Sequence, residues 1–103
     1  MQKPVERLKK KVQKENLWFF ILSLLEKKKL YGREIRELIK KEFGFFSGNV
    51  TAYKVLYIMK RGGYVTRFIK DGRKYYKITP KGKKQLKDAR KFLKEIYKKR
   101  SIS

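Results

Sequence analysis

The sequence predicts a mainly α-helical chain with a small β-hairpin, and three observations support this fold class. In several stretches, apolar residues recur at spacings of three and four, as they do on one face of a helix. The period changes to two on either side of Asp71-Gly72, a pair that favours a tight turn between strands. A chain of 103 residues is long enough for one modest core. We therefore expect a single domain over residues 1–103, with a helical region at 4–29, two helices and the hairpin at 31–79, and a last helix at 80–100.

The first helix is predicted to begin at Pro4, because proline suits the first helical turn. Val5, Leu8 and Val12 form a narrow apolar stripe between basic residues. A stripe this narrow requires a partner helix. Asn16 suits either the N-cap of a new helix or the interior of a continuous one.

The next segment, Leu17 to Leu25, is apolar on all sides apart from Ser23, which predicts a central core helix. A domain this small encloses such a helix only in part. The remainder, at Trp18 and Phe19, is therefore expected either in a dimer interface or around an apolar ligand of unknown identity.

Two further helices form a helix-turn-helix candidate. The first, Tyr31 to Phe43, carries apolar residues at helical spacing and ends at Gly44. The second follows a short linker and ends at Gly62-Gly63, with Ser47 or Asn49 as its N-cap.

The second of these helices has two faces of different character. Tyr53, Leu56 and Met59 recur at spacings of three and are predicted to cover the core. The other side is predicted to carry Thr51, Lys54, Val55, Ile58 and Arg61. It includes no acid, as expected of a helix that contacts nucleic acid.

A two-residue loop at Asp71-Gly72 fixes the register of the predicted hairpin. It places Lys70 opposite Arg73, two like charges that destabilise a hairpin unless an anion lies nearby. The simpler interpretation is a solvated hairpin tip. The same register is expected to place Val65, Tyr76 and Ile78 on one face, against the helices.

Thr79 and Pro80 are predicted to start the last helix, as its cap and first residue. Gly82 in its first turns indicates close backbone packing. The helix then presents an apolar seam consisting of Leu86, Ala89, Leu93 and Ile96. The seam is too short to be stable alone, so we expect it to pack on the Val5, Leu8 and Val12 stripe of the same chain or of a second chain.

The charge of the chain restricts its partners. It contains 31 Lys and Arg but only 9 Asp and Glu, a net charge of +22, which attracts polyanions. Abundant lysine is also typical of heat-adapted proteins, but this does not explain so few acids. The absence of Cys and His excludes disulfides, a Cys/His metal site and a histidine base, so neither an enzyme nor a cofactor is expected. The longest apolar run is too short to span a bilayer.

The order of elements is that of a winged helix-turn-helix, and several segments resemble the PadR family of transcriptional regulators. They are I-L-S-L-L (Ile21 to Leu25), Y-G-R-E-I (Tyr31 to Ile35), G-Y-V (Gly63 to Val65) and R-K-Y-Y-K-I-T-P-K-G (Arg73 to Gly82). Tyr53, Leu56 and Met59 also match, although leucine is common in that family at position 59 and at position 64. The resemblance implies a dimer joined through the C-terminal helix, which packs on the first helix. It also implies repression at operator DNA, with sensitivity to small molecules.

The sequence therefore predicts a cytoplasmic, nucleoid-associated homodimer that binds specific double-stranded DNA, probing a groove with its second helix. The residues expected to contact bases are Asn49, Thr51, Lys54 and Val55. Those expected to contact phosphates are Tyr31, Arg33, Arg61, Lys70, Arg73 and Lys74. The expected dimer interface contains Val5, Leu8, Val12, Trp18, Phe19, Leu86, Ala89, Leu93 and Ile96. The alternatives are an architectural protein that coats DNA without sequence preference and an RNA-binding winged helix.

Overall fold

The computed structural model describes residues 3–45 and 47–102, which form helices around one small sheet. The elements in order are α1 (Pro4–Glu15), α2 (Leu17–Leu25), β1 (Leu30–Tyr31), α3 (Gly32–Leu38), a π-helical turn (Ile39–Phe43), α4 (Asn49–Arg61), β2 (Val65–Lys70), β3 (Arg73–Ile78) and α5 (Pro80–Ile102). The strands are antiparallel in the order β1-β3-β2. The predicted fold class is confirmed, with β1 as an additional strand.

The chain breaks at Asn16, between α1 and α2. Its backbone (φ −120°, ψ 31°) leaves the helical region, while its N–H still donates to the Val12 carbonyl and its own carbonyl accepts from Phe19. Asn16 therefore starts a new helix. The break turns α2 into the middle of the protein and leaves α1 at its edge.

Helix α2 is the centre of the hydrophobic core, as its composition predicts. Five of its nine residues are buried, and every other element except α1 adds to the same cluster. The buried members outside α2 are Leu30, Ile35, Ile39, Leu56, Met59, Val65, Tyr76, Ile78 and Leu86. Leu86 is therefore unavailable to a second chain, which corrects its assignment to the dimer interface.

The helix predicted at Tyr31 to Phe43 differs from expectation at both ends. Tyr31 lies in β1, whose pairing with β3 is too short to produce a periodic pattern. The last turn is π-helical, which shifts the phase of the side chains. Phe43 consequently leaves the buried stripe and packs at the surface against Phe20 (ring centroids 4.9 Å apart). Gly44 ends the turn with φ 75°.

The hairpin has the predicted register. Lys70 lies opposite Arg73, and Val65 lies opposite Ile78. Asp71 and Gly72 both have positive φ, 51° and 74°, as a two-residue turn of this kind requires. Val65, Tyr76 and Ile78 are buried together against the helices, so the predicted core face of the hairpin is confirmed.

The start of α5 is fixed by the contacts expected there. Thr79 Oγ1 accepts a hydrogen bond from the N–H of Gly82 (3.1 Å) and donates one to the Gly63 carbonyl (2.6 Å). Gly82 is buried, and a Cβ at this position would collide with the carbonyl oxygen of Tyr64. The predicted close backbone packing is confirmed, and it determines where α5 leaves the sheet.

The two terminal helices extend beyond the core. Helix α1 has no buried residue, and α5 is exposed from Arg90 to Lys99. The radius of gyration is 15.0 Å, whereas a compact chain of this length would have about 13 Å. Within the described part of the chain, no helix is both long and apolar enough to cross a membrane.

Candidate nucleic-acid interface

Helix α4 is the exposed helix of the helix-turn-helix, and its buried side determines what it presents to solvent. Ala52, Leu56 and Met59 are buried against the core. With 3.6 residues per turn, the opposite side carries residues spaced by four, three and four. These are Val50, Lys54, Tyr57 and Arg61. All are exposed, and Val50 is the most open at 83%.

The structure separates the residues predicted to contact bases. Asn49, Thr51 and Lys54 are exposed. Val55 is instead half-buried and packs against the core on the flank that faces Trp18, which corrects its placement on the open face. Tyr53 is also corrected, because it is 41% exposed and its ring covers Gly32.

Both corrections have one cause. Ala52, not Tyr53, completes the buried face, which rotates the helix by about 100° relative to the sequence prediction. The rotation brings Val50 and Tyr57 into the centre of the open face, where sequence reasoning did not place them. Ala52 is small enough to be overlooked as a core residue, but its spacing of four and seven to Leu56 and Met59 is the signal that would have identified it.

The first turn of α4 is held by Arg36 of α3. Its Nε donates to the Ser47 carbonyl (3.3 Å), and its Nη1 donates to Asn49 Oδ1 (3.1 Å). Helix α4 begins after Gly48, so neither Ser47 nor Asn49 is the N-cap predicted from the sequence. Arg36 connects residues eleven and thirteen positions away, and no local pattern reveals such a contact.

The hairpin, hereafter the wing (residues 65–78), carries cations on both faces. Alternation along the strands places Lys70 and Arg73 on one face and Lys74 on the other, beside Arg67. The three predicted phosphate contacts of the wing are therefore not a single cluster. Arg67 is an additional exposed cation that sequence reasoning did not single out.

A row of aromatic rings crosses the outer face of the sheet. Phe68 of β2 stacks on Tyr75 of β3, and Tyr75 contacts Tyr31 of β1 edge-on, with centroids 5.5 Å apart in both pairs. The Arg73 guanidinium lies 4.8 Å from the Tyr31 ring, and the Lys29 ammonium lies 5.5 Å from Phe68. Cations held over aromatic rings are favourable even at exposed sites. The row therefore orients a positive group at each of its ends.

The other predicted phosphate contacts are dispersed. Tyr31 lies under Arg73, while Arg61 is exposed near the end of α4. Arg33 forms a surface ion pair with Glu37, with Nε 3.1 Å from the carboxylate oxygen. Exposed pairs of this kind are weak, so Arg33 remains available to an anion. In residues 3–45 and 47–102, no group of three carboxylates is arranged to hold a metal.

The predicted interface residues surround an apolar groove between α2 and α5. Trp18 and Phe19 are half-buried, and Leu93 and Ile96 are exposed by 53% and 44%. The groove has a volume of about 530 Å³. It is lined by Val12, Asn16, Trp18, Phe19, Phe20, Gln85, Ala89, Phe92 and Leu93. Val5 and Leu8 are exposed on α1.

Comparison with known proteins gives one family. A family model described as "Transcriptional regulator PadR-like family" matches residues 21–88. No curated protein sequence matches the chain.

Solved structures are similar over most of the chain. A transcriptional regulator from Clostridium thermocellum is 27% identical, with a TM-score of 0.76 over 84% of this chain and 91% of that one. A PadR family regulator from Clostridium difficile is 30% identical, with a TM-score of 0.72 over 79% and 90%. Bacillus subtilis PadR, solved in complex with operator DNA, is 30% identical with a TM-score of 0.63. That match covers 70% of this chain but only 45% of the longer Bacillus protein.

Proposed function

The chain belongs to the PadR-like family of transcriptional regulators, and we propose that it binds specific double-stranded DNA as a homodimeric repressor. The observation that carries the proposal is the exposed face of α4, which projects beside a cationic wing and has no acid. The complex of Bacillus subtilis PadR with operator DNA supports the same use of this fold. The site of action would be the nucleoid in the cytoplasm.

Base contacts are assigned to the open side of α4. Asn49, Thr51 and Lys54 remain candidates, and the rotation of the helix adds Val50 and Tyr57. A branched apolar side chain can contact the thymine methyl group, and Val50 offers this more directly than the half-buried Val55. Lys54 can donate to the acceptors of guanine.

Phosphate contacts are assigned to the wing and its base. Lys70 and Arg73 would lie along one strand of the backbone, and Tyr31 supports Arg73 from below. Lys74, Arg61 and Arg33 extend the cationic surface to the other wing face, α4 and α3. Such contacts fix the position of the protein on the duplex without reading sequence. The anion would also relieve the repulsion between Lys70 and Arg73, which lie directly opposite each other.

The homodimer is proposed from the apolar groove and the exposed stripes. Val5, Leu8 and Val12 on α1, together with Leu93 and Ile96 on α5, are all at least 39% exposed in one chain. Exposed apolar stripes on two neighbouring helices mark an association surface. A second chain that inserts its own α1 or α5 would cover Trp18, Phe19 and Ala89 as well. Two-fold symmetry would then place two copies of α4 on one duplex.

Selection of bound duplexes from a random pool, followed by footprinting, tests the proposal. A specific dimeric regulator selects one roughly palindromic sequence and protects a discrete site. The net charge of +22 favours the architectural alternative, which predicts no enriched sequence and continuous protection. Competition with structured RNA examines the RNA-binding alternative. Repression is tested by transcription in vitro from a promoter that overlaps the selected site, where the protein should reduce transcript yield.

The wing assignment has its own test. Replacing Lys70, Arg73 and Lys74 by Ala should weaken binding to all sequences and reduce the slope of log affinity against log salt by about 2.7, since each phosphate contact contributes about 0.9. Lys84 and Lys91 are exposed on α5, on the side turned away from the buried Leu86, and serve as the control. An unchanged slope in the wing variant would contradict this assignment.

A further inference from the structure

Helix α1 has a second face that dimerisation does not use. Val5, Leu8 and Val12 lie on one side of this helix. At 100° per residue, the opposite side carries the three cations Arg7, Lys10 and Lys14. Among the described residues none of these three forms an ion pair, whereas the neighbouring Lys11 pairs with Glu15 (3.5 Å). A helix that binds a second chain through one side would therefore keep a cationic side open.

This cationic side adjoins the beginning of α4. A hollow of about 430 Å³ separates the two helices. Its α1 wall includes Lys10, Gln13 and Lys14, and its α4 wall includes Gly48 and Thr51. The side chains of Lys10 and Lys14 thus flank the same end of α4 that carries Asn49, the first candidate base contact.

The α4 wall of the hollow is suited to an anion. Helix α4 has no side-chain cap at Gly48 and no acid in its first turn, so its positive dipole end is uncompensated. Ser47 also lines the hollow, although it is only 5% exposed, and its hydroxyl has no hydrogen-bond partner among the described residues. Buried hydroxyls are normally paired, so this group indicates a missing acceptor or donor.

We propose that the Arg7, Lys10 and Lys14 face of α1 binds the DNA backbone, with one phosphate at the hollow between Lys10, Lys14 and the start of α4. The inference rests on the proposed function and extends it. Helix α1 then acts in two ways, joining the dimer through its apolar side and lengthening the DNA contact through its basic side. The bound backbone lies next to the bases that α4 contacts, beyond the reach of the wing.

The variant Lys10→Gln/Lys14→Gln tests this on the selected duplex, against Lys84→Gln/Lys91→Gln, which removes the same charge from α5. We expect the slope of log affinity against log salt to fall by about 1.8 in the α1 variant, at about 0.9 per phosphate contact, and to change much less in the control. The charge-retaining variant Lys10→Arg/Lys14→Arg should keep the wild-type slope. Equal slopes in the α1 variant and the control would overturn the inference.

Ethylation interference on the wild-type protein provides a measurement that needs no variant. Ethylation of phosphates flanking the α4 contacts should block binding at positions additional to those assigned to the wing. If interference is confined to the positions lost in the Lys70, Arg73 and Lys74 variant, α1 does not contact DNA and the inference fails while the proposed function stands. If the wild-type protein binds no duplex, both fail.

Discussion

The winged-helix unit from α2 to Leu86 and the two terminal helices satisfy their apolar side chains in different ways. In the unit, α2 is enclosed by α3, α4, the sheet and the start of α5, and residues such as Ile21, Leu56 and Leu86 are completely buried. In the terminal helices, Val5 and Leu93 are more than half exposed. The unit is therefore stabilised by contacts within one chain, whereas the terminal helices depend on contacts with another.

This difference separates the two roles of the protein. The unit positions α4 and the wing, and it does so without a partner. The terminal helices determine how many such units act together and how far apart they lie. Four predictions test this division, and the expected effects decrease from the first to the last.

Removing a side chain from the core should lower stability most. Leu56→Ala, at a position with no exposure, should reduce the free energy of unfolding by about 3 kcal/mol because it removes buried methyl groups and leaves a cavity. The loss should be the same at high and low protein concentration. Denaturant titration measures it, and Tyr57→Ala on the exposed side is the control, expected to change stability by less than about 0.5 kcal/mol.

The second prediction concerns the terminal helices. Leu93→Ala/Ile96→Ala should raise the dissociation constant of the dimer by about 30-fold or more, since it removes apolar contacts of about 2 kcal/mol. Sedimentation or mass measurements over a dilution series report it. Lys91→Ala, which faces away from the groove, should leave the dimer intact.

At concentrations where both are monomers, this variant and the wild-type protein should unfold alike. A wild-type protein that unfolds on dilution would break the comparison, because the winged-helix unit would then need its partner to fold.

The third prediction addresses the connection between the two regions. Arg90 on α5 donates to both carboxylate oxygens of Glu26 at 2.9 Å, but both side chains are nearly half exposed. Water screens such a pair, so a double-mutant cycle of Glu26→Gln and Arg90→Gln should give a coupling of about 0.5 kcal/mol. A coupling above about 2 kcal/mol would show that this ion pair, instead of Gly82 and Leu86, determines the direction of α5.

The smallest effect is expected at the wing tip. Lys70→Gln should raise the stability of the free protein by a few tenths of a kcal/mol, because it removes the repulsion with Arg73 directly opposite. The same change should weaken DNA binding and lower its salt slope by about 0.9. Thermal unfolding with and without the selected duplex measures both effects. A variant that is less stable without DNA would indicate that Lys70 has a structural role.

Much of the fold could be predicted because its signals are local. The register of the wing follows from two turn residues, and the cap at Thr79 and the close packing at Gly82 follow from their positions beside Pro80. The family resemblance placed at Leu17 to Ala89 agrees with the matched residues 21–88. The candidate site was less accessible, because the orientation of α4 depends on a single alanine and the hold of Arg36 on Asn49 joins separate helices.

The sequence by itself determined the number and type of the main helices, the hairpin and its register, and the cationic character of the chain, since each depends on residues close together along the backbone. Only the tertiary structure decided which side of α4 is open, that Leu86 belongs to the core, that Tyr31 forms a third strand, and that the basic side of α1 adjoins the start of α4. These features depend on packing between distant segments, where one small side chain or one shifted helical turn changes which residues meet.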